Sequence, residues 1–488
     1  MRKITIDPIT RLEGHGKIEI FLDGEGEVET AYFQIPELRG FEKFCEGRLA
    51  EEMPRITTRI CGVCPTAHHM ASTKALDDLF KVEPTSAARK IRELIYNAFQ
   101  AEDHLLHFFF LSGPDFIVGP KAPAEERNIL GIIAKAGMEV GGKIIEARKR
   151  LRGVIETVCG KVVHPVCGLP GGMSKPVTEE EKKSFVKAAE YLVEFSVFVA
   201  LDLWDNIVLK NKEYADLITG DIYKHRTYYM GMVDENNKIN FYDGAIRVVD
   251  PNGKEFAKFK AQEYLDHIRE HVEPWTYVKF SYLSNVGWKG FVDGEESGVF
   301  RVGPLARLNA ADGMATPLAQ EAYEKMYDVL GGKPVHNTLA FHWARLIEVL
   351  YASERMLELL GDPELTSPEV RNIPTEVPKE GIGVVEAPRG TLFHHYKTDD
   401  RGILTGVNLI VATQNNSASM CMDIEKAAKS LIHKGEVPDV ILNMIEMAFR
   451  DYDPCLACAT HSLPGRMPLE VNVYDCKGDL VRKLRRSE

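Results

Sequence analysis

Two short cysteine pairs carry the chemistry most legible in this chain. The first lies in Arg59-Ile60-Cys61-Gly62-Val63-Cys64-Pro65-Thr66-Ala67-His68-His69. The second lies in Asp453-Pro454-Cys455-Leu456-Ala457-Cys458-Ala459-Thr460-His461. Thiolates three positions apart can face one soft or borderline metal ion. Gly62 is expected to allow a tight backbone approach, and Pro454 to preset the turn before the second pair. Histidines follow both pairs closely. Three readings fit this pattern: a four-cysteine structural zinc site, a thioredoxin-type redox pair, and a transition-metal centre. The redox reading has one pair too many. The zinc reading is weakened because 391 positions separate Cys64 from Cys455, whereas zinc knuckles close small loops. A chain this long also has core enough to fold without a metal staple. Titratable residues cluster near both pairs, including Arg59, Asp453 and His461.

Elements far apart in sequence must bring these pairs together. Residues 17–22 and 28–35 alternate around Asp23-Gly24-Glu25-Gly26, the pattern of a β-hairpin. Ser86 is a predicted cap for a helix carrying Ile91, Leu94, Ile95, Ala98, Leu105 and Leu106. Thr178-Glu179-Glu180-Glu181 reads as a capping box, followed by an apolar face from Phe185 to Val199. A third long helix is predicted from about Asn337 to Leu360, stopping at Gly361. Helices this long and apolar on more than one side predict a central bundle. Residues 223–304, with turns such as Asp250-Pro251-Asn252-Gly253, predict a β-rich insertion, and 381–413 a second short-strand region. The fold class is therefore α+β, predominantly helical, with a central long-helix bundle and peripheral β-rich segments.

Composition narrows the function classes. The chain has 488 residues, 60 Lys+Arg against 72 Asp+Glu, and a net charge of -12. The acidic balance argues against a general nucleic-acid binder. With 44% hydrophobic and 27% charged residues the bulk of the chain is expected to fold. No apolar run reaches the roughly 18 residues of a membrane helix; Asp202 interrupts the stretch 195–204. The first residues, Met1-Arg2-Lys3-Ile4-Thr5-Ile6-Asp7, meet an acid too early for a signal peptide. Of nine cysteines, Cys45, Cys159, Cys167 and Cys421 are expected to be buried small apolar residues. Phe108-Phe109-Phe110 reads as core.

Seven segments, in order, resemble the large catalytic subunit of nickel–iron hydrogenases. They are residues 7–15 (Asp-Pro-Ile-Thr-Arg-Leu-Glu-Gly-His), 39–42, 46–48, the first cysteine motif, 103–108, 386–390 (Glu-Ala-Pro-Arg-Gly) and the second cysteine motif. The resemblance spans nearly the whole chain. It implies the hydrogenase large-subunit fold and reversible heterolytic cleavage of dihydrogen to protons and electrons. It further implies that Cys61, Cys64, Cys455 and Cys458 bind nickel, with Cys64 and Cys458 bridging to an iron that carries CO and cyanide. Two proton acceptors compete in that family: a terminal thiolate, here Cys455, and the guanidinium here at Arg389. Arginine is a poor base, so electrostatic positioning is the safer role for Arg389 with Asp103 and Asp453. Glu13 resembles the glutamate that relays protons; a part-buried carboxyl can be tuned to accept and release one.

Glu42 and His461, with a backbone carbonyl at Leu409, resemble the ligands of a magnesium ion completed by water. His68 resembles the histidine that donates to a bridging thiolate, whereas His69 reads as structural. Pro388, Arg389 and Thr413, the last taken to lie in a strand, resemble the partners of the cyanides. Ala412 stands where many relatives have proline.

By the same resemblance, residues 1–461 form the working unit. Residues 462–488 form a C-terminal extension that a maturation endopeptidase removes after His461. No further four-cysteine set remains, so electrons are expected to leave through an iron–sulfur small subunit. The motif variants look closest to cytoplasmic multimeric hydrogenases that use NAD(P), ferredoxin or another soluble acceptor. No G-x-G-x-x-G strand–helix unit is present, which puts any NAD(P) or flavin site on diaphorase-like partner subunits. Two other function classes remain open on sequence: a metal-free structural subunit like that of the respiratory complex, which lacks the four ligands, and a zinc-stapled scaffold.

Overall fold

The computed structural model describes residues 2–461, 470–475 and 480–485. Four long helices build the centre: Ser86–Leu106, Met138–Cys159, Glu179–Val197 and Ala340–Gly361. The last is buried along most of its length, polar residues included: Arg345 and Glu348 are closed off from solvent as fully as Trp343 and Leu346. It packs on Ser86–Leu106 and Glu179–Val197, so it is the bundle's axis rather than a surface layer. Trp343 stacks on Trp204 at 5.6 Å. Two of the helices continue into widened π-type turns, at His107–Ser112 and Phe198–Leu203. Phe108 and Phe109 are buried there, as core.

The caps refine the sequence reading. Thr178 accepts from Glu181 N while the Glu181 side chain accepts from Thr178 N, a complete capping box. The Ser86 helix is capped one residue earlier than expected. Thr85 is extended and its hydroxyl accepts from Ala88 N at 3.2 Å, while Ser86 already has helical geometry and bonds Glu364. The helix expected from Asn337 begins at Ala340. The Asn337 side chain accepts from Leu339 N, holding those residues in a turn first.

Three larger β units lie against the helices. Arg2–Ile6, Lys17–Leu22 and Val28–Gln34 form an antiparallel sheet in sequence order. Its buried face, Ile18, Ile20, Leu22 and Phe33, meets the helices Ala412–Leu431 and Asp439–Arg450; Phe33 stacks on Phe449 at 5.6 Å. The β-rich insertion holds six strands between Tyr228 and Arg301. Its predicted turn is present, with Gly253 N donating to Asp250 O and Gly253 at φ 83°. A hairpin, Glu470–Tyr474 with Leu480–Arg485, lies in the last stretch of the chain. No described helix is long and apolar enough to cross a membrane.

The third unit positions the site. Glu380–Ala387, Gly390–Thr398 and Leu404–Ile410 form a meander packed on the helix Pro65–Leu79. Ala387 pairs with Gly390, so Pro388 and Arg389 are the whole turn. Gly381 and Gly383 lie opposite Tyr396 and His394, and opposed residues share a sheet face. Two small residues on that face let the helix backbone approach: a Cβ at Gly383 would meet Ala71 O at 2.1 Å and Ala75 N at 2.4 Å. Gly383→Ala is therefore expected to cost about 1–3 kcal/mol by overpacking. A lowered denaturation midpoint in urea would record it, and an unchanged midpoint would show that helix and sheet can separate freely.

Candidate metal centre

Each cysteine pair sits at the start of a helix. Cys61 is extended after the turn Thr57–Ile60, and Cys64 precedes Pro65, the first residue of its helix. Cys455 precedes the single turn Leu456–Ala459, which contains Cys458. The two segments come from opposite ends of the chain, and a third, at Glu13, is stitched to the second of them. Glu13 pairs with Cys455 in a parallel bridge: Glu13 N donates to Pro454 O at 3.3 Å and Leu456 N to Glu13 O at 2.9 Å. Gly14 takes φ 87° and has no room for a Cβ, which would lie 2.8 Å from Ala457 N. Gly62 behaves otherwise than expected: it faces open space and makes no close approach.

The four sulfurs converge. Cys61 and Cys455 lie 3.2 Å apart, Cys64 and Cys458 3.4 Å, Cys455 and Cys458 2.8 Å, and Cys64 and Cys455 4.0 Å. All four are buried. Val63 N and Cys64 N both donate to Cys61 Sγ, at 3.2 and 3.3 Å. Hydrogen bonds from the other three sulfurs hold the Cys61 thiol well below its ordinary value. Burial pushes the Cys455 and Cys458 thiols well up. Four thiols in a dry pocket therefore share their ionisation, and all four can become thiolates only around a cation. The donor set fits a metal that prefers soft sulfur ligands.

Arg389 stands over this cluster on its two-residue turn. Its Nη2 bonds Asp453 Oδ1 at 2.9 Å, its Nε donates to Asp453 O at 2.6 Å, and its Nη1 lies 3.2 Å from Asp103 Oδ1. All three residues are buried. Burial raises the Asp103 carboxyl to about 7, although Arg389 opposes it. Burial acts on Asp453 too, but Arg389 and then His107 outweigh it and hold that carboxyl well below its usual range. The two acids thus divide their roles around one guanidinium. Burial also raises the Glu13 carboxyl, and the neighbouring Cys61 charge adds to this. The Cys455 thiol donates to Glu13 Oε2 at 2.9 Å, and Ala457 N donates to the same oxygen at 3.2 Å.

His68 lines a small pocket with Cys64, Cys458, Arg389 and Thr413. Its Nδ1 lies 3.1 Å from His394 Nε2, and His394 in turn bonds Tyr396 OH at 2.6 Å. Burial lowers His68 to about 4, so it is neutral. Thr413 lies in the first turn of the helix Ala412–Leu431, not in a strand as expected, because the strand ends at Ile410. Its hydroxyl accepts from Cys455 N at 3.1 Å. Pro388 accepts from Arg307 Nη2 through its carbonyl at 3.2 Å.

A second group lies behind the cysteines. His461 Nδ1 bonds Cys458 O at 2.6 Å, and its Nε2 bonds Leu409 O and lies 3.6 Å from Glu42 Oε1. Leu409 N donates to the same Glu42 oxygen at 2.7 Å. A carboxylate, an imidazole and a carbonyl thus converge, an oxygen-rich set that suits a hard divalent ion with water ligands. Arg59, singled out beside the first pair, is exposed and stands apart.

Sequence reasoning missed the frame under Arg389. Arg307 Nη1 donates to Ala387 O at 2.8 Å, and its guanidinium pairs with Glu348 and Glu386, all fully buried. Nothing local in Leu305-Ala306-Arg307-Leu308 signals that role. His107, 3.0 Å from Asp453 Oδ1, was visible in the segment 103–108 but carried no assigned function.

Residues 39–129 and 143–461 match the family described as nickel-dependent hydrogenase, and residues 3–38 match one described as HoxL-like. An iron-sulfur subunit of the F420-non-reducing hydrogenase of Archaeoglobus profundus is 51% identical over 99% of this chain and 100% of its own length. The NAD-reducing hydrogenase HoxS subunit beta of Cupriavidus necator is 38% identical over 98% and 99%. A solved NAD+-reducing [NiFe]-hydrogenase in the H2-reduced state superposes with a TM-score of 0.88 at 36% identity, covering 94% of this chain and 100% of that one. The [NiFeSe]-hydrogenase of Dm. baculatum gives 0.73 at 26%, covering 94% and 100%. The chain belongs to the nickel-dependent hydrogenase family, as a large, catalytic subunit whose four-cysteine cluster fits a nickel–iron site.

Proposed function

We propose that Cys61, Cys64, Cys455 and Cys458 hold the nickel, with Cys64 and Cys458 shared with an iron that carries CO and cyanide. The observation that carries this reading is the convergence of four buried sulfurs from two distant pairs. When bound, the two metals supply the polarisation of dihydrogen and take up its two electrons. The chain's own residues do the rest. Arg389, fixed by Asp103 and Asp453, fills the pocket with a positive charge that cannot ionise away. Glu13, hydrogen-bonded to Cys455, takes protons from that sulfur and passes them outward. Thr413, which lines the pocket, and the Pro388-Arg389 turn would supply the polar partners of the diatomic ligands. His68 has Nδ1 engaged by His394, so its other ring nitrogen is the one available to a bridging sulfur.

Electrons leave through an iron–sulfur small subunit. Further electron-transfer subunits pass them to a soluble acceptor, NAD(P), ferredoxin or a similar carrier, in the cytoplasm. The names of the relatives, which include an NAD-reducing enzyme, favour this multimeric setting. Purification of the native complex tests the whole reading. Nickel and iron together, with hydrogen-dependent viologen reduction, are expected; zinc without nickel would return the site to a structural staple.

Glu42, His461 and the Leu409 carbonyl hold magnesium in this proposal. Glu42→Gln keeps the size and removes the charge. It is expected to lower magnesium content and cut turnover about 10–100-fold, the scale of groups that act one layer out from a metal. Metal analysis beside the rate assay checks this; full magnesium occupancy in the variant would reassign Glu42 to folding alone. We also propose that maturation cuts after His461, leaving residues 1–461 as the working unit. His461 is fully enclosed, and its carbonyl accepts from Glu42 N at 3.2 Å, so the chain is anchored at that point. Intact mass of active enzyme decides it: a full-length active chain would overturn the cut.

A further inference from the structure

Among the described cysteines outside the metal set, two meet. Cys159 ends the helix Met138–Cys159, and Cys167 directly precedes the short strand Gly168–Leu169. Between them the chain folds back on itself. Gly160 turns left-handed at φ 74° and His164 does so at φ 61°. Val166 N then donates to Cys159 O at 3.4 Å. This reversal brings Cys167 Sγ to 3.2 Å from Cys159 Sγ. Both residues are 1% exposed, yet Val163 and Val166 of the same loop are 38% and 45% exposed, so the sulfurs lie just beneath the surface.

The bland reading is two small apolar residues packed together. The surroundings of Cys167 are not apolar. His69 Nε2 lies 3.7 Å from its sulfur. That ring is fixed, because Nδ1 donates to Pro54 O and Nε2 accepts from Gly168 N, both at 2.8 Å. Hydrogen bonding with Cys159 is the main influence holding the Cys167 thiol below its usual value, against burial. Cys159 is pushed up, by burial first. One thiol is thus readier to ionise, and its neighbour is placed to resolve whatever forms on it.

We propose that Cys159 and Cys167 are a redox-modification site that closes reversibly to a disulfide, separate from the metal centre. The oxidant is a hydroperoxide, with hydrogen peroxide the simplest. The Cys167 sulfur attacks the O–O bond; an S–O bond forms, the O–O bond breaks, and the leaving oxygen departs as water with the thiol proton. The Cys159 sulfur then attacks the oxidised sulfur. The S–S bond forms, the S–O bond breaks, and a second water leaves with the Cys159 proton. Two thiols and one hydrogen peroxide give one disulfide and two waters. A dithiol reductant reverses the bond by exchange.

Peptide mapping of the intact complex tests this. The complex is treated with hydrogen peroxide at a dose that converts Met138, 79% exposed, to its sulfoxide. It is then quenched in denaturant with an alkylating agent, digested and weighed. The peptides bearing Cys159 and Cys167 are expected joined, lighter by two hydrogens, and to return as separate peptides after a dithiol reductant. In Cys159→Ser, dimedone is expected to trap Cys167 as the sulfenic acid. The proposal fails if both cysteines are recovered alkylated at that dose, or if either is over-oxidised with no linked peptide. The wild-type map decides the matter even if the variant does not fold.

Discussion

Cys455→Ser is expected to abolish nickel retention and, with it, hydrogen-dependent viologen reduction. The substitution is nearly isosteric but replaces a soft, ionisable sulfur with a hard hydroxyl that does not ionise at working pH. Cys455 is also the sulfur nearest two other members of the set, 3.2 Å from Cys61 and 2.8 Å from Cys458. Its loss breaks the group at its centre. The fall in rate should exceed the roughly 10–100-fold typical of groups one layer out. It should also be accompanied by block of the cut after His461, since Cys458 and His461 lie on the same short segment. Nickel content and intact mass together check it. A variant with normal nickel would remove Cys455 from the ligand set.

Glu13→Gln separates proton transfer from metal binding. The amide keeps the size of the carboxyl and can hold the Ala457 N contact, so nickel and iron are expected to stay. Turnover and hydrogen–deuterium exchange should fall about 10²–10⁴-fold, the usual worth of a positioned acid–base group. The pH profile gives a second readout. Burial raises the Glu13 carboxyl, so the ionised, proton-accepting form is lost below a pH higher than an ordinary glutamate would set. Hydrogen oxidation should therefore fall on the acid side in that elevated range. In Glu13→Gln the remaining activity should lack this limb, and unchanged rates would take Glu13 out of the relay.

Local signals carried much of the architecture. The capping box at Thr178, the hairpin turns at Asp23 and Asp250, and three of the four bundle helices were written in short windows of residue type, whereas Met138–Cys159 was not anticipated. Boundaries failed where two neighbours had the same chemistry. Thr85 and Ser86 both offer a hydroxyl, and only backbone geometry selects Thr85. Thr413 was misplaced because a buried strand and a buried helix start look alike over a few apolar residues. At the site, the two cysteine pairs were legible from their spacing, whereas Glu13, Glu42, Arg389 and His461 entered through the family resemblance. Arg307 was not, because its partners Glu348 and Glu386 are distant in sequence and its task is to fix carbonyls, which leaves no local trace.

The meeting of Glu13 and Cys61 at Cys455 has a consequence in time. The first cysteine pair leaves the ribosome long before the second: 391 positions separate Cys64 from Cys455. At synthesis rates of roughly 5–20 residues per second, that gap is about 20–80 s. Through this interval Cys61 and Cys64 lack their partner sulfurs and Glu13 lacks the Cys455 segment with which it pairs. The four-sulfur site therefore does not exist until the chain is nearly complete, and a metal that needs all four sulfurs can be held only once synthesis has passed Cys458.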